Sequence, residues 1–191
     1  ALFSIVSPVA SWAGLRPEAV AYNHGGAKLI GYLAYNDAVK QPRPGVLVVH
    51  EWWGLNDYAK MRARQLAEMG YVAFAADIYG DGVVAKDAKE AGSLAGRFRG
   101  GDRALLRERV NAGLQVLLSN PLVDRQHVAA IGYCFGGTTV LESARSGADI
   151  AGVVSFHGGL DTPSPASADT LKAKILVLHG ADDPNVPPAQ V

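Results

Sequence analysis

Short apolar runs recur along the chain, and the segments between them space their apolar residues more widely. The run "AKLIGYLAY" (27–35) reads as a strand. Entered from the turn-rich "KQPRPG" (40–45), the β-branched run "VLVVH" (46–50) is continuous instead of alternating, the pattern of a strand buried on both faces. Asn56 or Asp57 can accept from the free amides of a first helical turn, so a helix is expected from there to about Met69, where Gly70 ends it. "YVAFAAD" (71–77) is the next buried strand and completes a β-α-β unit. A polar, helix-prone stretch runs from Asp87 to Arg99 and breaks at Gly100-Gly101. Asp102 is then expected to cap a longer helix, whose Leu106, Val110, Leu114 and Leu117 recur at helical spacing. "HVAAIGY", "IAGVVSFHG" and "KILVLHG" follow as three more apolar runs. This alternation predicts an α/β fold, with a mostly parallel central sheet and helices on both faces.

Length and charge add limits. The chain has 191 residues, the size of one domain, and shows no internal repeat or linker. Eighteen basic residues balance eighteen acidic ones, and no basic block is interleaved with aromatics, so no nucleic-acid partner is expected. No membrane span is expected, because no run approaches the roughly 18 uninterrupted apolar residues that one needs. The single cysteine excludes an internal disulfide and a cysteine-rich metal site. No metal and no other cofactor is expected, and the oligomeric state is not legible. Residues 1–20 are apolar, carry no charge before Arg16 and include the small-residue pattern Ser11-Trp12-Ala13. They read equally as an N-terminal arm packed on the domain or as the remnant of a signal peptide, which leaves cytoplasm and periplasm both open.

In such a sheet, ligands gather at the carboxyl ends of the strands. Three predicted strand ends carry polar residues: His50-Glu51-Trp52-Trp53-Gly54, Gly132-Tyr133-Cys134-Phe135-Gly136 and His179-Gly180-Ala181-Asp182-Asp183. The second fits the nucleophile elbow G-x-S-x-G with cysteine at the serine position. Its glycines suit a strand-to-helix turn too cramped for a Cβ, and the amides of the helix that follows favour thiolate. A free cysteine packed as a small hydrophobe is the alternative.

Three motifs in this order, "VLVVHEWWGLN", "AAIGYCFGG" and "VLHGADDPNVP", resemble the dienelactone hydrolase family, the cysteine-using branch of the α/β-hydrolase fold. The resemblance covers about Tyr22 to Val191. It implies a hydrolase of small lactones or esters, carboxymethylenebutenolidase-like, whose partner is a small-molecule substrate. It implies a Cys-His-Asp triad in which Cys134 forms a thioester, and it carries the acid onto Asp183 through G-x-x-D-x-x-V-P, with Asp182 the alternative. Glu51 falls where the family has a glutamate that controls the thiol's proton. The fold implies an oxyanion hole from the backbone amides of Phe135 and Trp52.

Two departures stand out. Dienelactone-cleaving members have an arginine two residues after the tyrosine of D-[LI]-Y, where this chain has Asp81, expected to repel an anionic substrate. Arg97, Arg99 and Arg103 lie nearby in sequence and read either as substitutes or as solvated charges. The family's histidine follows the acid, yet His24, His50, His127, His157 and His179 all precede Asp183. The expectation is that the base lies in a C-terminal portion outside these residues, together with the last strand and helix, and that the five histidines are bystanders. A second function, a catalytically inactive α/β-hydrolase-fold binding protein, has no need of Cys134, Asp183 and Glu51 together. A serine lipase or peptidase is disfavoured by the cysteine and by the lack of a competing G-x-S-x-G.

Overall fold

The computed structural model describes residues 14–165 and 169–191. Seven strands form one sheet: β1 (Leu15–His24), β2 (Ala27–Asn36), β3 (Arg43–Val49), β4 (Val72–Ala76), β5 (Val123–Tyr133), β6 (Gly152–Phe156) and β7 (Lys174–Leu178), in the order β1-β2-β4-β3-β5-β6-β7. From β4 to β7 all neighbours are parallel, while β1 and β2 add antiparallel strands at one side. The expected mostly parallel sheet is therefore present.

β1 is the element that the apolar pattern misses. Leu15 to Val20, assigned from sequence to a terminal arm, belong to this strand and pair with β2 from Leu15↔Asn36 to His24↔Ala27. An outlying strand with residues 16–19 exposed has little period-two alternation to read. The hairpin does have a local signature: Gly25 and Gly26 take φ of +54° and +77°, as a two-residue type I′ turn requires. Residues 1–13, and with them the signal-peptide reading, lie outside the described residues.

Four helices flank the sheet: α1 (Asp57–Glu68), α2 (Ala88–Arg99), α3 (Ala104–Ser119) and α4 (Phe135–Arg145). The side chains of Asn56 and Asp87 accept from the amides of Ala59 and Glu90 and cap α1 and α2. α3 differs from expectation, because its cap residue is Arg103, at φ +59°. The Asp102 carboxylate still accepts from the Ala104 amide.

Alternation along β3 and β4 separates two cores. Val46, Val48, Ala73 and Ala75 pack under Ala59, Ala63 and Ala67 of α1. Leu47, Val49, Phe74 and Ala76 turn the other way, onto Leu106, Val110, Leu114 and Leu117 of α3, Phe98 of α2 and Val140 of α4. Every residue of β4 is buried, which is why its run is continuously apolar. β7 has the same kind of run but leaves Ile175, Leu176, Val177 and Leu178 between 36% and 50% exposed.

Candidate active site

β5 runs into α4 through a turn with no room for side chains. A Cβ on Gly132 would sit 2.0 Å from the Gly136 carbonyl oxygen, and one on Gly136 would sit 2.3 Å from that of Val49. Cys134 occupies the bend at φ +53° and ψ −115°, a strained backbone for a residue with a side chain. Its own amide donates to the Phe156 carbonyl of β6 at 2.9 Å, and its carbonyl accepts from Thr138 at 3.2 Å. The thiol is thereby held at the carboxyl edge of the sheet, above the N-terminus of α4.

Cys134 opens into a cavity of about 700 Å³ lined also by Glu51, Trp52, Phe135, Arg99, His157 and Asp183. All five residues singled out from sequence thus share one cavity. Asp183 lines it, whereas Asp182 is exposed and does not. The Asp183 carboxylate also accepts from the Asn185 amide at 2.8 Å. Burial pushes the Cys134 thiol up, the Phe135 amide pulls it down, Glu51 raises it further, Arg99 opposes and Asp183 adds a small rise. Desolvation and the two carboxylates outweigh the amide and the guanidinium, so at neutral pH the sulfur rests as a thiol.

The loop after β3 is fixed by His50. Its ring is fully buried and lies between the Glu51 carbonyl and the Ile78 amide, which donates to Nε2 at 3.3 Å. Burial lowers its pKa to about 4, so it is a neutral structural group, as its place at a strand end implies. The Tyr79 hydroxyl donates to the Trp52 carbonyl at 2.8 Å and pins the next peptide. His24 approaches Glu108, His127 pairs with Asp124 and His179 meets the Val186 carbonyl. None of these three lines the cavity, but His157 does, with Nε2 3.6 Å from Glu51 Oε1.

A sequence profile of the dienelactone hydrolase family matches residues 29–191. The chain belongs to that family. A solved structure, the dienelactone hydrolase-like promiscuous phosphotriesterase from metagenomic libraries, is 43% identical with a TM-score of 0.83, covering 93% of this chain and 73% of that one. Protein usf of Aquifex pyrophilus is 28% identical over 169 residues, 87% of this chain and 71% of its own. A protein of Aquifex aeolicus provisionally named carboxymethylenebutenolidase is 27% identical with the same coverage. This dienelactone hydrolase family member accordingly stands among the carboxymethylenebutenolidase-like hydrolases, on an α/β-hydrolase fold.

Within that family pattern, the residue at the arginine position requires a correction. Asp81 does not line the cavity of Cys134; it lines a separate depression with Pro17, Tyr32 and Lys60. Arg99, at the end of α2, supplies the cavity's guanidinium, while Arg97 is exposed outside it. Arg103 is no solvated charge. It is buried beside the fully buried Glu142, which Arg107 and Arg145 also contact, and it donates to the Asp161 carbonyl at 2.7 Å.

Proposed function

We propose that this protein hydrolyses small carboxylic esters or lactones through a thioester on Cys134, within a Cys-His-Asp triad to which Asp183 contributes the acid. The observation that carries the reading is the convergence of a strained elbow cysteine, Glu51 and Asp183 on one cavity. Because the resting sulfur is protonated, the first step moves its proton to a base in the cavity, and Glu51 is the carboxylate charged with it. The thiolate adds to the carbonyl carbon, whose π electrons go to oxygen, and the amides of Phe135 and Trp52 stabilise that oxyanion. Collapse expels the alcohol or enol oxygen, which takes up a proton. Water then adds to the thioester carbonyl, the C–S bond breaks, and the carboxylic acid leaves as the sulfur takes up a proton and the thiol is regenerated. A thiolate leaves such an intermediate more readily than an amide nitrogen does, so esters and enol lactones suit this centre better than amides.

Arg99 extends the reading to substrate charge, as a guanidinium within the cavity pairs with a carboxylate carried away from the scissile bond. Among the described residues, the histidine that lines the cavity with Cys134 and Asp183 is His157.

The test uses p-nitrophenyl acetate with residues 1–191. One equivalent of p-nitrophenolate is expected in a burst, with a single acetyl group on Cys134 by peptide mass spectrometry. Cys134→Ala should lose both, and a variant that kept them would overturn the mechanism. A folded chain that forms no adduct with any ester would support the binding-protein reading. The 43% identity to a promiscuous phosphotriesterase makes a neutral phosphotriester the second substrate to test.

A further inference from the structure

α2 carries two glycines that its own folding does not ask for. Gly92 and Gly96 lie inside the helix, and neither takes a positive φ, so ordinary helical backbone serves at both. Apart from its own helix, a Cβ at Gly96 would meet no atom within 4 Å. One at Gly92 would rest 3.9 Å from Cζ3 of the Trp52 ring, an ordinary contact. The elbow glycines 132 and 136 have no such room. Glycine inside a helix destabilises it relative to alanine, because the unfolded chain has more backbone freedom to lose. Neither conformation nor packing therefore accounts for Gly92 and Gly96.

What the two positions share is the cavity. Gly92, Ala95, Gly96 and Arg99 recur at i, i+3, i+4 and i+7 and line it as one stripe of α2, together with Trp52. Over those residues the helix rises about 10 Å. The strained elbow cysteine opens into the same space, so the stripe borders a reacting centre and not a bare surface. At Gly96 the peptide backbone itself forms the wall, with the Ala95 side chain and the Trp52 indole as apolar neighbours. Each glycine leaves the recess one methyl deeper than alanine would, and a flat ring gains most from so shallow a space against bare peptide.

We propose that Gly92 and Gly96 are specificity-determining residues, which keep this wall open for an aromatic ring carried by the ester. The ring lies on the Gly96 backbone beside Trp52, and the reacting carbonyl sits at Cys134. Alanine at either position leaves the elbow untouched and narrows the recess alone. This inference rests on the proposed attack of Cys134 on esters and names aromatic esters as the substrate class.

The experiment compares alkylation of Cys134 by iodoacetamide and by N-benzyl-iodoacetamide, which share the reacting carbon and differ by a benzyl group. Gly96→Ala should slow the benzyl reagent about tenfold, the low end of what one methyl costs in a shaped pocket, and leave iodoacetamide within about twofold. The same variant should unfold at higher urea, since it gains helix propensity without a clash. Gly92→Ala should act in the same direction but less, because its methyl would lie against Trp52 and not on open wall. Single-turnover acylation then locates the ring. Gly96→Ala should slow p-nitrophenyl benzoate relative to p-nitrophenyl acetate if the ring belongs to the acyl part, and phenyl acetate relative to ethyl acetate if it belongs to the alcohol. A Gly96→Ala variant that slows both alkylating reagents alike, spares both, or loses stability would overturn the proposal, as would equal effects within both ester pairs. Alkylation needs no acyl transfer. A Cys134 that no ester acylates would therefore defeat the ester mechanism alone, while the ratio of the two alkylation rates still decides for or against the recess.

Discussion

β4 and β7 are five-residue strands of similar apolar character, and they meet opposite fates. "VAFAA" has no exposed residue, while "KILVL" is exposed along its whole length. The difference teaches that a continuous apolar run records a demand for cover on both faces, and that the cover itself must come from elsewhere in the molecule. β4 receives it from α1 on one face and from α2 and α3 on the other. Within the described residues β7 pairs with β6, and four of its large apolar side chains are left uncovered. The candidate site straddles the two regimes. Glu51 and Cys134 stand at the ends of β3 and β5 inside the sheet, whereas Asp183 follows β7. One side of the cavity is therefore mounted on strands covered on both faces, and the acid on the loop after a strand that these residues leave uncovered.

The sharpest way to break this comparison is to truncate one side chain in each strand. Phe74→Ala should cost about 3–5 kcal/mol in urea unfolding, because the ring is fully buried between β2 and α3. Leu176→Ala, on a side chain half exposed, should cost less than about 1 kcal/mol. Equal losses would mean that β7 is covered in solution.

Acid should next strike the buried side alone. His50 is neutral in the fold with a pKa near 4, against an ordinary unfolded value of about 6.5. Between those values the unfolded chain holds the extra proton, so stability is complete above about pH 6.5 and falls as pH drops toward 4. A loss of about 2–3 kcal/mol by pH 4.5 is expected from unfolding curves, and His50→Gln should flatten it. A pH-independent stability would remove His50 from the framework of the site.

A smaller effect separates the two carboxylates. Glu51 raises the thiol more than Asp183 does, so Glu51→Gln should speed Cys134 alkylation at neutral pH by about three- to tenfold while slowing ester hydrolysis. Asp183→Asn should speed alkylation less. Smallest of all, Arg99→Ala should raise KM several-fold for an ester carrying a carboxylate and leave a neutral ester unchanged, which steady-state kinetics on the pair would show.

What could be read from the sequence follows the same division. Elements whose side chains face a core carry their pattern in plain view, as the runs of β2 to β6 do; β7 has a similar run without cover in these residues, and the cap of α1 is legible from Asn56. β1 is not, since residues 16–19 face solvent and leave no alternation, though its Gly25-Gly26 turn is a local sign. In the site, Cys134 and the Asp183 loop show themselves through their neighbours in sequence, glycines and prolines with a backbone reason to be there. His157 has no such sign. Its place in the cavity comes from β6 lying beside β5, so that Phe156 receives the amide of Cys134, a relation between strands rather than between neighbouring residues. Arg99 and Arg103 fail to declare themselves for a similar reason. They sit four residues apart near a helix junction, and only packing sends one to the cavity and the other to buried Glu142.

The alternation along β3 sets a limit on how this family member can vary. Odd and even residues of the strand feed different cores, and Glu51 lies two positions past Val49. Inserting or deleting a single residue within the strand would exchange the two cores and rotate the entry to the Glu51 loop to the opposite side. Substitution can therefore retune the cavity one residue at a time, but changes of length have to fall outside β3, as in the exposed turn at residues 38–42 that precedes it, where an added residue moves no core side chain.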